Sequence, residues 1–535
     1  MHLKTDTGLN SHYSRVPTIS KPRNSFSIAE RHVTTIQFDK LYPLYTKMIY
    51  PGDTLSITEG IMGRLQTQIA TLYDDLYIDV HAWFCPLRLI QTDWARYQFN
   101  AQPTGPSQDN SALTSPKIDL SALGSGGFAA KSLYDYFGYP TAIDLTGVAA
   151  TEHINNYYAR AYNHIWNLNY RDENLQNAVV VDLDNGPDLA SDYVLLNRGK
   201  RHDKFTSALT AQQKGTAVSM PLGSTAPVIS NNEVFRWNTL AAPTYDGELN
   251  IATTRAVNLG PSGSLTASTA FWGSKTGLVV DLALASSATV NQLRQSVAVQ
   301  HLLEADARGG TRDVESIQHR WGVTVPDFRL QRPEYLGGTT FSFDGHVVPQ
   351  TSESATTPQG TLTQFSQTMS QFNVNHSFVE HGVFMILISA RSNITYQQGL
   401  ARELSYKTRL DWYQPEFANL GEVAVKNKEI MMQGTSADNN TFGFQEYAYE
   451  LRYGENRVSA EMRSNYANSL DTKHMADDYA TLPTLGTAWI QSNTPITRNI
   501  AVAANVADPI ELNTMAKGRI ARTLPMYSIP GLMRL

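Results

Sequence analysis

The chain has 535 residues, of which 41% are hydrophobic and 17% charged, and its formal net charge is −6. This length allows several domains or one core fold with large insertions, and an acidic chain is poorly suited to neutralising nucleic acid as its main task. The single cysteine, Cys85, excludes an intramolecular disulfide framework and a multi-cysteine metal site. We expect no membrane insertion, because no stretch approaches the roughly 18 consecutive apolar residues of a membrane span, and no signal peptide.

Segments with strand patterns lie near both ends of the chain. They alternate between apolar and polar residues or form short apolar runs bounded by turn residues, as β-strands do. The segments are Val33 to Phe38, Thr54 to Thr58, Leu76 to Phe84, Val383 to Ile388, Glu446 to Tyr453 and Thr487 to Gln491. The run at Val383 to Ile388 is apolar throughout, which predicts a strand buried on both faces.

The middle of the chain has a different character. Thr151 to Asn169 and Asn291 to Arg308 carry apolar residues at helical spacing, so two helices are predicted. Between them, Thr216 to Thr289 is rich in Ser, Thr, Ala, Gly, Asn and Pro, which indicates an exposed insertion with little structure of its own. A disordered linker is the alternative, although aromatic residues such as Trp237 and Trp272 favour packing against something.

These patterns together predict a mainly β fold, a β-sandwich whose connections have grown into long loops and a few helices. The eight-stranded jelly roll is such an architecture, found in viral capsids and also in lectins and cupins. We divide the chain as follows: an N-terminal arm (1–32), the first sandwich strands (33–100), loops and a helical insertion (101–215), the exposed insertion (216–289), a helix with interface loops (290–375), and the remaining strands with a C-terminal arm (376–535).

No motif for phosphate cradling, zinc hydrolysis, a nucleophile elbow or calcium binding is present in convincing form. The densest polar cluster runs from Asn197 to Ser207. Its His202 and Asp203 are adjacent, and adjacent residues of an extended segment point to opposite faces, which disfavours an acid–base pair. The cations of this cluster suit a structural role, contacts with neighbouring subunits, or phosphate binding. We therefore expect no enzyme activity, no metal site and no cofactor.

Several blocks of the sequence resemble the major capsid proteins of the microvirus family, particularly its gokushovirus branch. In chain order the blocks are Arg198 to Leu209 with Gln213-Lys214-Gly215, Leu303 to Arg312, Arg329 to Gly338, Thr395 to Leu400, Leu420-Gly421-Glu422 with Asn427-Lys428-Glu429, and Pro525 to Leu532. The resemblance extends from about Pro51 to the C-terminus. The chain departs from the family pattern at Lys204, where an aromatic is usual, and at Thr210-Ala211-Gln212, which replaces a Pro-Trp-Pro element.

The resemblance implies a viral jelly roll that self-assembles into a T=1 icosahedral shell around circular single-stranded DNA, formed in the bacterial cytoplasm. It also implies a small basic DNA-packaging protein, a minor pilot protein, a scaffolding protein and a host surface receptor as partners. In gokushoviruses an insertion forms protrusions at the threefold axes, and Thr216 to Thr289 is the candidate here, with a role in host attachment. A carbohydrate-binding jelly-roll module is the alternative function.

Two sets of residues are candidates for the contacts of such a shell. Cations beside an aromatic are the usual means of holding a single strand, so Arg198, Lys200, Arg201 and Phe205 are candidates for DNA binding. Arginines and tyrosines are favoured in protein interfaces, which selects the candidate subunit contacts Arg308, Arg312, Arg329, Arg332 and Tyr335.

Overall fold

The computed structural model divides the chain into two compact units, the first formed by Met1–Thr210 with Pro326–Leu535 and the second by Ala211–Val325. The residues described are 22–99, 113–147, 152–216, 218, short strands between 228 and 280, the helix at 290–308, 331–355 and 357–527.

The strands, in chain order, are β1 (Asn24–Ile36), β2 (Tyr42–Ile49), β3 (Thr54–Leu65), β4 (Leu76–Pro86), β5 (Val228–Ser230), β6 (Arg236–Thr239), β7 (Ala242–Ile251), β8 (Val257–Leu259), β9 (Ala270–Trp272), β10 (Leu278–Val280), β11 (Glu334–Ser342), β12 (Asp344–Pro349), β13 (Leu362–Ser377), β14 (Gly382–Ser392), β15 (Glu422–Lys426), β16 (Thr441–Glu446) and β17 (Ile510–Arg522). The α-helices are α1 (Trp94–Phe99), α2 (Leu133–Tyr136), α3 (Tyr157–Asn169), α4 (Val290–Arg308), α5 (Asn427–Ile430) and α6 (Thr487–Ile490).

Two antiparallel sheets form the centre of the first unit. The five-stranded sheet has the order β1-β17-β3-β13-β12, and the four-stranded sheet has the order β11-β4-β14-β2. Strands of both sheets contribute to one hydrophobic core, for example Leu55 and Ile57 of β3 and Ile78 and Val80 of β4. The first unit is therefore a β-sandwich, as predicted. Among the described residues, the two sandwich sheets hold nine strands and not the predicted eight, and the first unit also contains the two-stranded sheet β15-β16.

A second core lies on the outer side of the four-stranded sheet, where α3 packs. Val383, Met385 and Leu387 of β14 belong to this second core, whereas Phe384 and Ile386 belong to the sandwich core. Both faces of β14 are thus covered, which confirms the prediction from its continuous apolar sequence. In α3, the fully buried Arg160 pairs with Asp188 at 2.5 Å.

Most of the strand and helix predictions agree with the structure. The segments beginning at Val33, Thr54, Leu76 and Val383 all fall largely within strands, and the helix predicted at Asn291–Arg308 is α4. The helix predicted from Thr151 begins only at Tyr157.

Two strand predictions are wrong. Glu446 is the last residue of β16, and the chain then turns through Ala448, which has a positive φ of 61°, into a short 3-10 helix at Tyr449–Leu451. Thr487–Ile490 is a helical turn, α6. In α6, Trp489 and Ile490 are adjacent and both buried, which a one-sided strand would not allow.

The described part of the second unit contains the six strands β5 to β10 and helix α4. Strands β5 and β10 form a pair, and β8, β7, β6 and β9 form a four-stranded sheet. The side chains of Thr216 to Thr289 lie almost wholly outside the described residues, so the exposed insertion stays a prediction. Among the described residues, no helix is long and apolar enough to cross a membrane.

Candidate functional site

The basic segment Asn197–Ser207 begins on the outer side of the four-stranded sheet and continues to β15 and β16, where Phe205 packs. Backbone hydrogen bonds fix its start, since Arg198 N donates to Asp39 O at 2.7 Å and Lys200 N donates to Ile490 O at 2.8 Å. The segment is therefore held by the chain on both of its sides. This placement brings its first cations beside β4 and β14.

Arg198 joins a buried charge cluster centred on Asp79. Asp79 is 3% exposed and accepts from Arg391 Nη2 at 2.5 Å, and Arg198 Nη1 lies 3.7 Å from the same carboxylate oxygen. Burial opposes ionisation of Asp79, but the positive charges and hydrogen bonds of Arg391 and its neighbours hold its pKa below the usual value. Burial lowers the pKa of Arg198 to about 10, and the nearby Arg391 adds to this effect.

Lys200 is also neutralised within the chain. Its Nζ lies 2.7 Å from Asp477 Oδ2 and donates to the hydroxyl of Tyr479 at 3.1 Å. The same ammonium group sits 4.9 Å from the centroid of the Trp489 ring. Lys200 therefore serves as an internal anchor for the 477–489 region, with only 8% of its surface exposed.

Lys204 and Phe205 occupy a turn held by Asp203, whose Oδ1 accepts from the backbone N–H of Phe205 and of Thr206. Lys204 pairs with Glu455. Phe205 is 1% exposed and packs edge-on against Tyr396 and Phe442. This burial leaves no face of the Phe205 ring on which a base can stack.

Arg201 differs from the other candidates of the segment. Its guanidinium lies over the Tyr77 ring, 4.4 Å from the centroid, and its Nη1 is buried without a hydrogen-bond partner in the described structure. The four candidates for DNA binding are thus close in space, but they differ in how far burial and ion pairing prevent a contact with DNA. Their assignment stays a prediction, and burial and ion pairing weaken it for Lys200 and Phe205.

Two cavities lie beside the basic segment. Between them they are lined by candidates for DNA binding and by candidates for subunit contacts. One cavity of about 330 Å³ is lined by Arg198, Lys200, Arg201 and Arg391, and a second of about 580 Å³ by Trp83, Arg332 and Tyr335. Tyr170 and Arg198 line both. We call the second cavity the aromatic groove.

Hydrogen bonds join the side chains that form the walls of the aromatic groove. Trp83 Nε1 donates to the Tyr170 hydroxyl at 2.8 Å, and His81 Nδ1 lies 2.9 Å from the same oxygen. Burial lowers the pKa of His81 to about 4, with the Arg198 charge adding to it. His81 is therefore neutral near pH 7, and its Nδ1 shares a hydrogen bond with the Tyr170 hydroxyl.

Tyr335 and Arg332 form the open edge of the aromatic groove. Tyr335 is 53% exposed, and its ring centroid lies 4.9 Å from that of Trp83. Arg332 is exposed. An exposed arginine beside supported aromatic rings can bind a planar or aromatic group from a partner. The remaining candidate contacts lie outside the described residues: Arg312 and Arg329 entirely, and Arg308 with respect to its side chain.

Sequence reasoning missed the residues that organise this region, namely Asp79, Arg391 and Tyr170. Asp79 had one available signal, since it is a carboxylate within an otherwise strand-like run, and a buried carboxylate requires a cation. Its partner Arg391 is 312 residues away, a separation that no local pattern reveals.

The described residues hold no group of three or more His, Cys, Asp or Glu side chains that could bind a metal ion. Cys85 is fully buried, and burial raises the pKa of its thiol, so it suits a packing role. The polar groups of the candidate site are engaged in ion pairs and ring contacts. Their arrangement supports binding and assembly, not acid–base chemistry.

Comparisons with known proteins give a consistent result. The family model described as "Capsid protein (F protein)" matches residues 14–532. The chain is 39% identical to capsid protein VP1 of Bdellovibrio phage phiMH2K over 94% of each chain. It is 33% identical to capsid protein VP1 of Chlamydia phage 1 over 99% of each chain, and 33% identical to that of Spiroplasma virus 4 over 96% of each.

Proposed function

The chain belongs to the capsid-protein family of the microviruses, and from this premise we propose that its copies assemble into a T=1 icosahedral shell around circular single-stranded DNA. It is a structural protein of the virion capsid and not an enzyme. The observation that carries the proposal is the match to capsid proteins along almost the whole chain. We further propose that assembly takes place in the host cytoplasm.

The physical character of the chain supports assembly. A closed shell needs several distinct surfaces on each subunit, repeated by symmetry. Individually modest contacts suffice, because their number stabilises the closed object far beyond any single interface. The half-exposed Tyr335 and the exposed Arg332 have the composition of an interface centre. We assign both to contacts with a neighbouring subunit.

Charge balance supports a role for partners in packaging. Each nucleotide brings one negative charge, and the chain itself carries −6, so the shell interior requires additional cations. A small basic DNA-packaging protein supplies them in our proposal. A scaffolding protein, a minor pilot protein and a host receptor that binds the 216–289 insertion complete it.

The proposal is tested by expressing the chain alone and together with the other genes of its virus, followed by light scattering and electron microscopy of the products. Uniform icosahedral shells of the mass of sixty subunits, the number that T=1 symmetry defines, support it. Shells that form only on co-expression identify dependence on a scaffold. Stable monomers in both preparations contradict it, and monomers that bind glycans would favour the carbohydrate-binding alternative.

A further inference from the structure

The outer face of the five-stranded sheet has an unusual composition. Residues on this face alternate with core residues along each strand, and the strand registers align them in rows across the sheet. From one end, the rows are Ser27, Arg519, Ser56 and Asn375; Ala29, Lys517, Thr58 and Asn373; Arg31, Met515, Gly60 and Gln371; Val33, Asn513, Met62 and Met369; and Thr35, Glu511, Arg64, Gln367 and Asp344. We call this surface the outer sheet face.

The outer sheet face is basic although the chain is acidic. It carries four exposed cations, Arg31, Arg64, Lys517 and Arg519, against two exposed carboxylates, Glu511 and Asp344, both in the last row. The first three rows contain three of the cations and no carboxylate. A net charge of −6 for the whole chain means that this positive charge is locally concentrated and not a general property.

Lys200 and Lys204 of the basic segment form ion pairs within the chain. The four cations of the outer sheet face do not form such pairs within the described part of the chain. Arg31 Nε donates to Asn513 Oδ1 at 2.8 Å, and none of the four forms an ion pair with a described carboxylate. Glu511 accepts from Gln66 at 2.9 Å. The outer sheet face therefore presents charge to whatever covers it.

The spacing of the cations suits an extended polyanion. Arg519, Lys517 and Arg31 occupy three successive rows, and rows are about 7 Å apart because each spans two residues of strand. Most of the neighbouring positions are small, namely Ser27, Ala29, Ser56, Thr58 and Gly60, and Met515 is the large side chain between Arg31 and Gly60. The backbone of a polyanion with one negative charge per repeating unit can lie close to such a surface.

We propose that the outer sheet face is the surface that contacts the phosphate backbone of the enclosed single-stranded DNA. This inference rests on the proposed function of the chain as the wall of a DNA-filled shell. The rows contain no aromatic residue, so the contact is made to phosphate and is independent of base sequence. Asn and Gln side chains on the same face add hydrogen bonds to phosphate and sugar oxygens.

The proposal competes with a DNA contact at the basic segment. Asp79 and Ser389, which hold Arg198, lie on the outer side of the four-stranded sheet. The outer sheet face and the basic segment thus lie on opposite sides of the sandwich. A shell wall presents one side to its interior, so the DNA contact belongs to one of the two surfaces.

The test uses wild-type shells and the triple variant Arg31→Gln, Lys517→Gln, Arg519→Gln, with Lys407→Gln, Arg409→Gln, Arg457→Gln as a control that removes three exposed cations elsewhere. Affinity for a single-stranded oligonucleotide is measured over a range of salt concentrations. We expect the slope of log affinity against log salt to fall by about 2 in the sheet variant and to stay unchanged in the control. Ultraviolet crosslinking of DNA in wild-type shells should label peptides from β1, β3 and β17.

Other outcomes overturn the proposal. Crosslinks confined to residues 197–207, with an unchanged salt slope, would assign DNA to the basic segment. A variant that keeps its salt slope but no longer forms shells would make the outer sheet face a contact between proteins. Failure of the wild-type chain to form shells would contradict the proposed function instead, and the salt slopes of the soluble chain would still decide whether this face binds a polyanion.

Discussion

Arg391 donates two hydrogen bonds to one carboxylate oxygen of Asp79, from Nη2 at 2.5 Å and from Nε at 3.2 Å. The two residues belong to neighbouring strands, β14 and β4, and Arg391 also donates to Gly199 O at 2.8 Å. The pair therefore ties the basic segment to the outer side of the four-stranded sheet. Its removal should destabilise the sandwich and this segment together.

We expect Asp79→Asn to lower the free energy of unfolding by about 3–5 kcal/mol, because Arg391 and Arg198 would stay buried without a balancing charge. Urea denaturation of the isolated subunit measures this. Asp75→Asn, an exposed carboxylate nearby, is the control and should change the free energy by less than about 0.5 kcal/mol. Equal effects of the two substitutions would show that the cluster contributes little to folding.

The buried carboxyl group of Glu59 should make the stability of the folded chain decrease as pH rises. Glu59 is 1% exposed, its Oε2 has no hydrogen-bond partner in the described structure, and burial raises its pKa to about 7, partly opposed by Thr514. The folded state therefore binds this proton more tightly than the unfolded state. Its stabilising effect is complete below the unfolded pKa, about 4.3, and is lost as pH rises through about 7.

For the wild type, we expect this group to reduce the free energy of unfolding by about 3 kcal/mol between pH 4.5 and pH 8. Glu59→Gln should remove that part of the decline, since the amide does not ionise. Urea midpoints at several pH values measure the effect, with the exposed Glu416→Gln as the control. Parallel pH profiles for the wild type and Glu59→Gln would contradict the prediction.

Tyr335 should matter for assembly more than for folding. Its ring is half exposed and rests on Trp83, so its loss exposes little core. We expect Tyr335→Ala to leave the thermal midpoint of the subunit almost unchanged and to reduce the yield of shells several-fold, since truncating a central tyrosine of an interface costs about 2 kcal/mol. Sedimentation gives the shell fraction. Tyr466→Ala, at 49% exposure, is the matched control, and equal yields would remove Tyr335 from the interface.

The sandwich was largely predictable because its strands carry local signals. Leu76–Phe84 alternates, and Val383–Ile388 is apolar throughout, so both could be identified without knowing their partners. The failures came where local sequence is ambiguous. Thr487–Gln491 has β-forming residues, but Gly486 and the burial of both Trp489 and Ile490 produce a helical turn there.

The candidate site was predictable only in outline. The density of cations at Arg198 to Lys204 is visible in the sequence, but the carboxylates that neutralise them are distant, with Asp477 277 residues from Lys200. The basic face of the five-stranded sheet was missed for the same reason. Arg31 and Arg519 become neighbours only through the pairing of β1 with β17, which joins opposite ends of the chain.

The insertion offers a last prediction. The sandwich and side cores that the structure describes are built from residues of the first unit. Within the second unit, Lys214 N donates to Leu303 O at 3.3 Å, and α4 extends from Leu303 back to Val290, a helical distance of about 20 Å. A Gly/Ser linker of about 12 residues spans this distance and can replace Thr216 to Thr289 at a modest cost in loop closure.

We expect such a deletion variant to fold and to form shells that lack surface projections, because the lost segment contributes no described core residue. Electron microscopy of particles from wild-type and deletion chains, produced with the same viral genes, compares their outlines and diameters. Circular dichroism of the subunit is the control for folding. Loss of all folding would mean that the sandwich depends on the insertion, and shells with unchanged projections would place the protrusion elsewhere in the chain.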